Sequence, residues 1–295
     1  MLHWWSSVWT LMACAPPDAE DVPVEIEEAT EFLFAHIDDE APDTLQLVIE
    51  QTILPYVQAK LDAVVDPSDP FDPGYFTDLS PLTEANLGSL SLPEGTLAED
   101  QRVPVARAYR SRHATASFRQ LAAVADRTCI EPETTHWAQR EYTTDPDCYA
   151  NGECTWIAAI QPTLKVNPLA AIWYDQHLEQ RKLSIEVEDE PWDVIVSRSF
   201  LTESWASKNG NNHWDQLWTL DVVVDQPDGA VTWSAYWSAM RVQWLTDGIL
   251  ATSVRAGMVE ASAWADHFIA QGTPHPDCPH VRGAPMPERW PNGSE

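Results

Sequence analysis

Between Trp192 and Ala263 the chain runs through four segments separated by three turn dipeptides, and no other feature restricts its fold as much. Trp192, Val194, Val196 and Phe200 share one parity, and Asn209-Gly210 follows. Next, Trp214, Trp218, Leu220, Val222 and Val224 fall on one face, against Asp215, Thr219, Asp221 and Asp225 on the other. Pro227-Asp228-Gly229 turns the chain into a third segment, where Val231, Trp233, Ala235, Trp237 and Ala239 alternate with Thr232, Ser234 and Ser238. Asp247-Gly248 then leads into Ile249 to Ala263. A period of two is the signature of strands, whose successive side chains point to opposite faces. Asn-Gly and Asp-Gly accept the left-handed backbone of tight hairpins. The pattern predicts an antiparallel meander whose last strand is 249–263. Strands of about 12–14 residues reach roughly 40–45 Å and must twist. Met240, Val242 and Trp244 change parity relative to Trp237, which predicts a bulge near Ala239. Earlier strands are expected at Thr155 to Ile160 and, with a break, at Ala170 to Val187.

The N-terminal part reads differently. Ile26, Ala29, Leu33 and Ile37 recur at helical spacing, predicting a helix over 24–39 that Pro42 ends. Asp43-Thr44-Leu45-Gln46 has the form of a capping box. Leu45, Ile49, Ile53, Val57, Leu61 and Val64 make one stripe of a second helix to Val65, kinked at Pro55. The expected fold is α+β: N-terminal helices packed on a long, curved antiparallel β-meander, or a partly closed barrel.

The first residues set the expected location. An apolar run from Met1 leads to Leu11-Met12-Ala13-Cys14. This tetrapeptide resembles the lipobox of bacterial lipoproteins. The resemblance covers only Leu11 to Cys14 and implies cleavage before Cys14, with a lipid on its thiol. Residues 1–13 would then be the signal peptide and 14–23, polar and proline-containing, a tether. Residues 24–290 would form one α+β domain: helical over 24–65, loop-rich over 66–104, mixed over 105–128 and antiparallel sheet over 153–270. Ala15 after the Cys resembles the class sorted to the outer membrane. The implied partner is a membrane, reached through the lipid anchor, with another envelope protein or a glycan as further candidates. The net charge of -29, from 46 acids against 17 bases, argues against nucleic acid.

Outside the cytoplasm, the four Cys other than Cys14 read as two disulfides. Three pairings are open. Asn151-Gly152 favours closing Cys148 on Cys154, which leaves Cys129 for Cys278. Zinc is the alternative, but no C-x-x-C pair is present. Asp66, Asp69 and Asp72, followed by Gly74, make a weak calcium candidate without EF-hand spacing. Residues 101–125 carry Arg102, Arg107, Arg110, Arg112 and Arg119 and no acid. These five either pair internally with the acidic helices or form an anion site for phosphate, sulfate or a lipid headgroup, since guanidinium forks match such oxygens.

No H-E-x-x-H, G-x-S-x-G, P-loop or G-x-G-x-x-G occurs. The suggestive feature is 15 Trp, eleven of them between Trp137 and Trp264. A Trp-rich core is the plain expectation. Because Trp205 lies on the opposite face from Trp192, and Trp244 lies off the Trp237 face, the meander carries aromatics on both sides. The sequence therefore points to a lipid-anchored envelope lipoprotein whose body is a non-enzymatic binding or scaffolding module. An envelope hydrolase acting on a glycan and a lipid or small-ligand carrier are the alternatives. A carrier needs a ligand cavity, and a scaffold needs an exposed apolar patch.

Overall fold

A computed structural model describes residues 22–39, 42–83, 87, 104–113, 115–116, 119, 135–167, 170–242 and 247–271. Two helical segments come first, α1 (Ile26–His36) and α2 (Asp43–Val48), the latter running through a π-helical turn at Ile49–Ile53 into α3 (Leu54–Asp62). Then come β1 (Phe76–Asp78), β2 (Val105–Ser111), β3 (Thr135–Ala138), β4 (Glu141–Tyr142) and the short α4 (Pro146–Ala150). The long strands are β5 (Trp156–Asn167), β6 (Ala170–Val187), β7 (Glu190–Leu201), β9 (Asn212–Gln226) and β10 (Gly229–Val242), with two-residue β8 (Trp205–Ala206) between β7 and β9. A 25-residue helix, α5 (Asp247–Gln271), ends the described chain.

The strands form one antiparallel sheet in the order β1-β2-β10-β9-β7-β6-β5-β3, with β4 on β5 and β8 on β9. Its ends, β1 and β3, do not pair, so the sheet is open and the expected barrel does not form. The α+β class stands. Hairpin β6–β7 turns on Glu188 (φ 53°) and Asp189 (φ 67°), both left-handed. No Asn-Gly or Asp-Gly marks it, and β6 runs 18 residues without the expected break. The bulge falls where the parity change puts it. Ala239 faces Gln216 and Met240 faces Trp214, leaving Asp215 as the extra residue. It also turns Trp214 away from the Trp218 face, where simple alternation had placed it.

One face of the sheet, the helical face, packs on α1 to α3. Val194, Val196 and Phe200 of β7, Trp218 to Val224 of β9 and Val231 to Trp237 of β10 meet Leu33, Phe34, Leu45 and Ile49 in the largest core cluster. Trp233 Nε1 donates to Thr30 Oγ1 at 3.0 Å, and the Phe34 ring lies 5.5 Å from those of Trp218 and Trp237. Arg198, 1% exposed, points to this face from β7. It donates to the carbonyls of Phe34 (2.6 Å) and Ala35 (3.3 Å) at the end of α1. It also pairs with Glu179 (2.6 Å) and Asp38 (3.0 Å). A buried cation so placed satisfies carbonyls that a helix end leaves without partners.

Three sequence expectations are corrected. Residues 249–263 are helical, not the fourth strand. Leu250, Val254, Met258, Ser262 and Asp266 recur every four residues, and these face the sheet. Alanines at 251, 256, 261 and 263 favour that helix further. The second N-terminal helix does not simply kink at Pro55. The chain widens into the π turn just before it, which relieves the clash of the proline ring with the preceding turn. Asp43 makes no capping bond, and the Gln46 amide donates to the Ser184 carbonyl on β6 instead. The long-range partner wins over the local one.

Candidate functional site on the second face of the sheet

The other face carries the side chains of opposite parity. By register, Ser197 lies beside Asp221 and Ser199 beside Thr219, then Asp221 beside Ser234 and Thr219 beside Tyr236. Most strands of one-sided sheets turn polar groups to water here. In this protein the face is closed over along its margins. At the β1–β2–β10 margin α5 packs Leu250 and Val254 on Phe76 and Val105, with Tyr236 and Met240 partly buried beside them. At the hairpin end Ala116 packs on Ile195, Val223 and Ala230. At the opposite end Tyr174, Leu201, Trp205 and Leu217 cluster, with Trp214 and Tyr236 against them.

Between these apolar margins the centre is polar and half-buried. The Gln176 amide donates to Ser199 Oγ at 2.7 Å, and Ser199 Oγ hydrogen-bonds Thr219 Oγ1 at 2.7 Å. Ser234 Oγ donates to Asp221, whose second oxygen accepts from Arg119 at 3.1 Å. Arg119 also donates to the Tyr109 hydroxyl at 3.2 Å. Burial disfavours the Arg119 charge, yet Asp221 and Tyr109 outweigh it and hold the guanidinium pKa above its ordinary value. Asp225 caps the 115–116 segment by accepting from the Thr115 and Ala116 amides at 2.7 and 3.0 Å, and burial holds its carboxyl above the usual range. Burial likewise pushes the Tyr236 phenol up to about 12. Two hydroxyls on this face, Thr232 Oγ1 and Ser238 Oγ, are buried without a hydrogen-bond partner among the described residues. Each such group costs about 1–3 kcal/mol of desolvation.

Four of the five arginines, Arg107, Arg110, Arg112 and Arg119, lie among the described residues, and Arg107 and Arg119 both reach Tyr109. Arg107, 5% exposed, donates to the Met258 carbonyl (3.4 Å) and to Ser262 Oγ, and lies 5.2–5.8 Å over the rings of Tyr75, Phe76 and Tyr109. It anchors α5. Arg110 sits exposed, 4.0 Å from Asp228, and Arg112 is exposed. Arg102 lies outside the described residues. A further cation on the second face is Lys165 of β5, which sequence reasoning did not single out. Its Nζ lies 5.9 Å from the Tyr174 ring centre and 5.7 Å from that of Trp214. The signal in the sequence was only that Lys165 is one of four lysines, and it lies near the end of β5, beyond the strand expected at Thr155 to Ile160.

The Asp66, Asp69 and Asp72 carboxylates stay within their own loop. Asp66 accepts from Ser68, Asp69 from the Phe71 amide, and Asp72 from the Gly74 and Asp66 amides. Among the described residues no group of three or more His, Cys, Asp or Glu could hold a metal ion. Cys148 and Cys154 form a disulfide with Cα atoms 5.3 Å apart, across the turn that Gly152 makes at φ +75°. Cys14, Cys129, Cys278 and Trp244 lie outside the described residues. No described helix is long and apolar enough to cross a membrane, which leaves membrane-crossing strands unaddressed.

The fold and face define a class: a helix-backed open antiparallel sheet whose second face is bordered by a long C-terminal helix. No family model matches the chain, and no curated protein matches it. Solved structures align with part of the chain. One is a STAR-related lipid transfer protein fragment from Xanthomonas axonopodis, at 12% identity and TM-score 0.40 over 59% of this chain and 90% of that one. Another is a human lipid transfer and protein localization domain, at 8% identity and TM-score 0.36 over 56% of this chain and 76% of that one. A Thermus thermophilus protein aligns at 10% identity and TM-score 0.31, over 57% of this chain and 97% of that one. Likeness at this level carries nothing about ligand or activity.

Proposed function

We propose that the protein is a lipid-anchored protein of the cell envelope whose body is a non-enzymatic binding module, and that it carries a small amphipathic ligand on the second face of its sheet. One observation carries the reading. That face places a half-buried polar centre, Gln176, Ser199, Thr219 and Ser234, between apolar ends, and includes two buried hydroxyls without partners. An amphiphile would match its polar groups with the hydroxyls and charges of this face and its chain with the apolar side chains beside them. Ligand sites commonly combine an apolar lining with a few placed polar groups. Glycan hydrolysis by a carboxylate pair finds less support on this face. Asp221 is bound to Arg119 and Ser234, and Asp225 to two backbone amides.

The test is titration of the full-length chain carrying Cys14→Ser with N-phenyl-1-naphthylamine, an uncharged fluorescent amphiphile. Saturable one-to-one binding is expected, weakened by about tenfold or more in Ser199→Trp, whose indole fills the polar centre (a loss of ~1.4 kcal/mol). A folded protein with no saturable binding would refute the proposal.

A further inference from the structure

We infer that the Lys165 end of the second face seats an anionic group, a carboxylate or phosphate, on the carried amphiphile. The inference rests on the carrier reading and names its ligand class. Register places Lys165 on the second face, beside Ile172 and one step from the Thr163–Tyr174 pair. Lys165 is half-buried, and its ammonium stands to one side of the Tyr174 and Trp214 rings, 5.9 and 5.7 Å from their centres, which are 5.0 Å apart. Tyr236 and Leu217 complete the wall. Lys182, Arg110, Arg119, Arg198 and Arg255 each have a carboxylate within 4.0 Å. Lys165, like Lys60, Arg107, Arg112 and Arg181, has none among the described residues, although the chain carries 46 acids.

What distinguishes Lys165 is its setting on the second face against two aromatic rings. A surface ammonium in so acidic a protein has carboxylates to choose from, whereas this one is turned onto a sheet face among aromatic rings. Ring faces attract a cation, but they supply no oxygen acceptor for its three N–H donors. Ser238 of β10, fully buried on the same face opposite Leu217, has a hydroxyl without a partner among the described residues. A cation and a free hydroxyl at the aromatic end are complementary to an anionic oxygen group whose chain continues along the apolar wall.

The experiment compares oleate, oleyl phosphate and oleyl alcohol, below their micelle concentrations, as competitors of N-phenyl-1-naphthylamine on the full-length Cys14→Ser chain. The two anions are expected to compete at least about tenfold more tightly than the alcohol, a gap of ~1.4 kcal/mol. The tighter of the two identifies the head group. Lys165→Met should abolish the preference while leaving the affinity for oleyl alcohol unchanged, which also shows that the variant is folded. Lys165→Arg should retain it. Equal binding of all three competitors, or a preference that survives Lys165→Met, would overturn the inference and leave the carrier reading in place. Binding of none of them, and of no probe, would overturn both.

Discussion

Replacing Arg198 with alanine should strongly destabilise the protein. The guanidinium is 1% exposed, and four groups depend on it. Without it, Glu179 remains buried with its charge unpaired, Asp38 loses its partner, and the Phe34 and Ala35 carbonyls at the end of α1 lose their donor. Breaking a buried pair from one side typically costs about 3–5 kcal/mol, because the remaining charge is left in low dielectric. Removing both charges is gentler, so Arg198→Met with Glu179→Leu should recover at least about half of the loss. The pH dependence gives an independent check. Burial holds the Glu179 carboxyl above its ordinary range, with the Arg198 charge opposing it. A carboxyl raised in the folded state takes up its proton at a higher pH folded than unfolded. It therefore adds stability as pH falls through the carboxylate range and withdraws it as pH rises. Arg198→Ala removes the main opposing charge and raises that carboxyl further. The deficit should be largest at neutral pH and shrink towards about pH 5, just above the ordinary Glu range. Urea unfolding followed by circular dichroism at both pH values measures it. A cost below about 1 kcal/mol, the range of exposed pairs, or a deficit that grows with acidity, would refute the argument.

Gly229→Ala should cost about 2 kcal/mol or more in the same unfolding assay. The residue sits at φ +146°, and a Cβ there would come within 2.2 Å of the Ser111 carbonyl oxygen across the β2–β10 ladder. Thr232→Val should instead raise stability by about 1 kcal/mol, since it removes a buried hydroxyl without a partner while keeping the shape. A loss of stability would mean that the hydroxyl has an acceptor. Mass spectrometry of the mature protein from a membrane fraction should give a chain that begins at an acylated Cys14. An intact Met1 would remove the lipoprotein reading.

The strands were legible because each had one dry face. Trp192 to Phe200 and Val231 to Ala239 alternate cleanly, and the helical layer covers that parity. Position 239 was legible for the same reason, since the bulge reverses parity at Met240. Residues 249–263 misled because Asp247-Gly248 opens a helix as readily as a hairpin, and the sheet-facing row at every fourth residue includes Ser262 and Asp266. Hairpin β6–β7 gave no signal because Glu188 and Asp189 adopt left-handed backbone that glycine or asparagine usually marks. The arginines stood out as a charge anomaly, but pairing is a property of three dimensions. Arg119 finds Asp221, 102 residues away, and Arg107 finds α5. The site itself was least legible. Its polar centre gathers single residues from β6, β7, β9 and β10, and Lys165 carries no local pattern at all.

The central claim is that the second face of the sheet holds the ligand. Methyl-labelled full-length Cys14→Ser protein, saturated with oleate, tests it most directly through nuclear Overhauser effects between oleate and protein methyl groups. The account predicts contacts to Ile172, Leu201 and Leu217, which line the aromatic end of that face. Contacts confined to the exposed Val24, Val65 or Ile249, or to no methyl group, would contradict it.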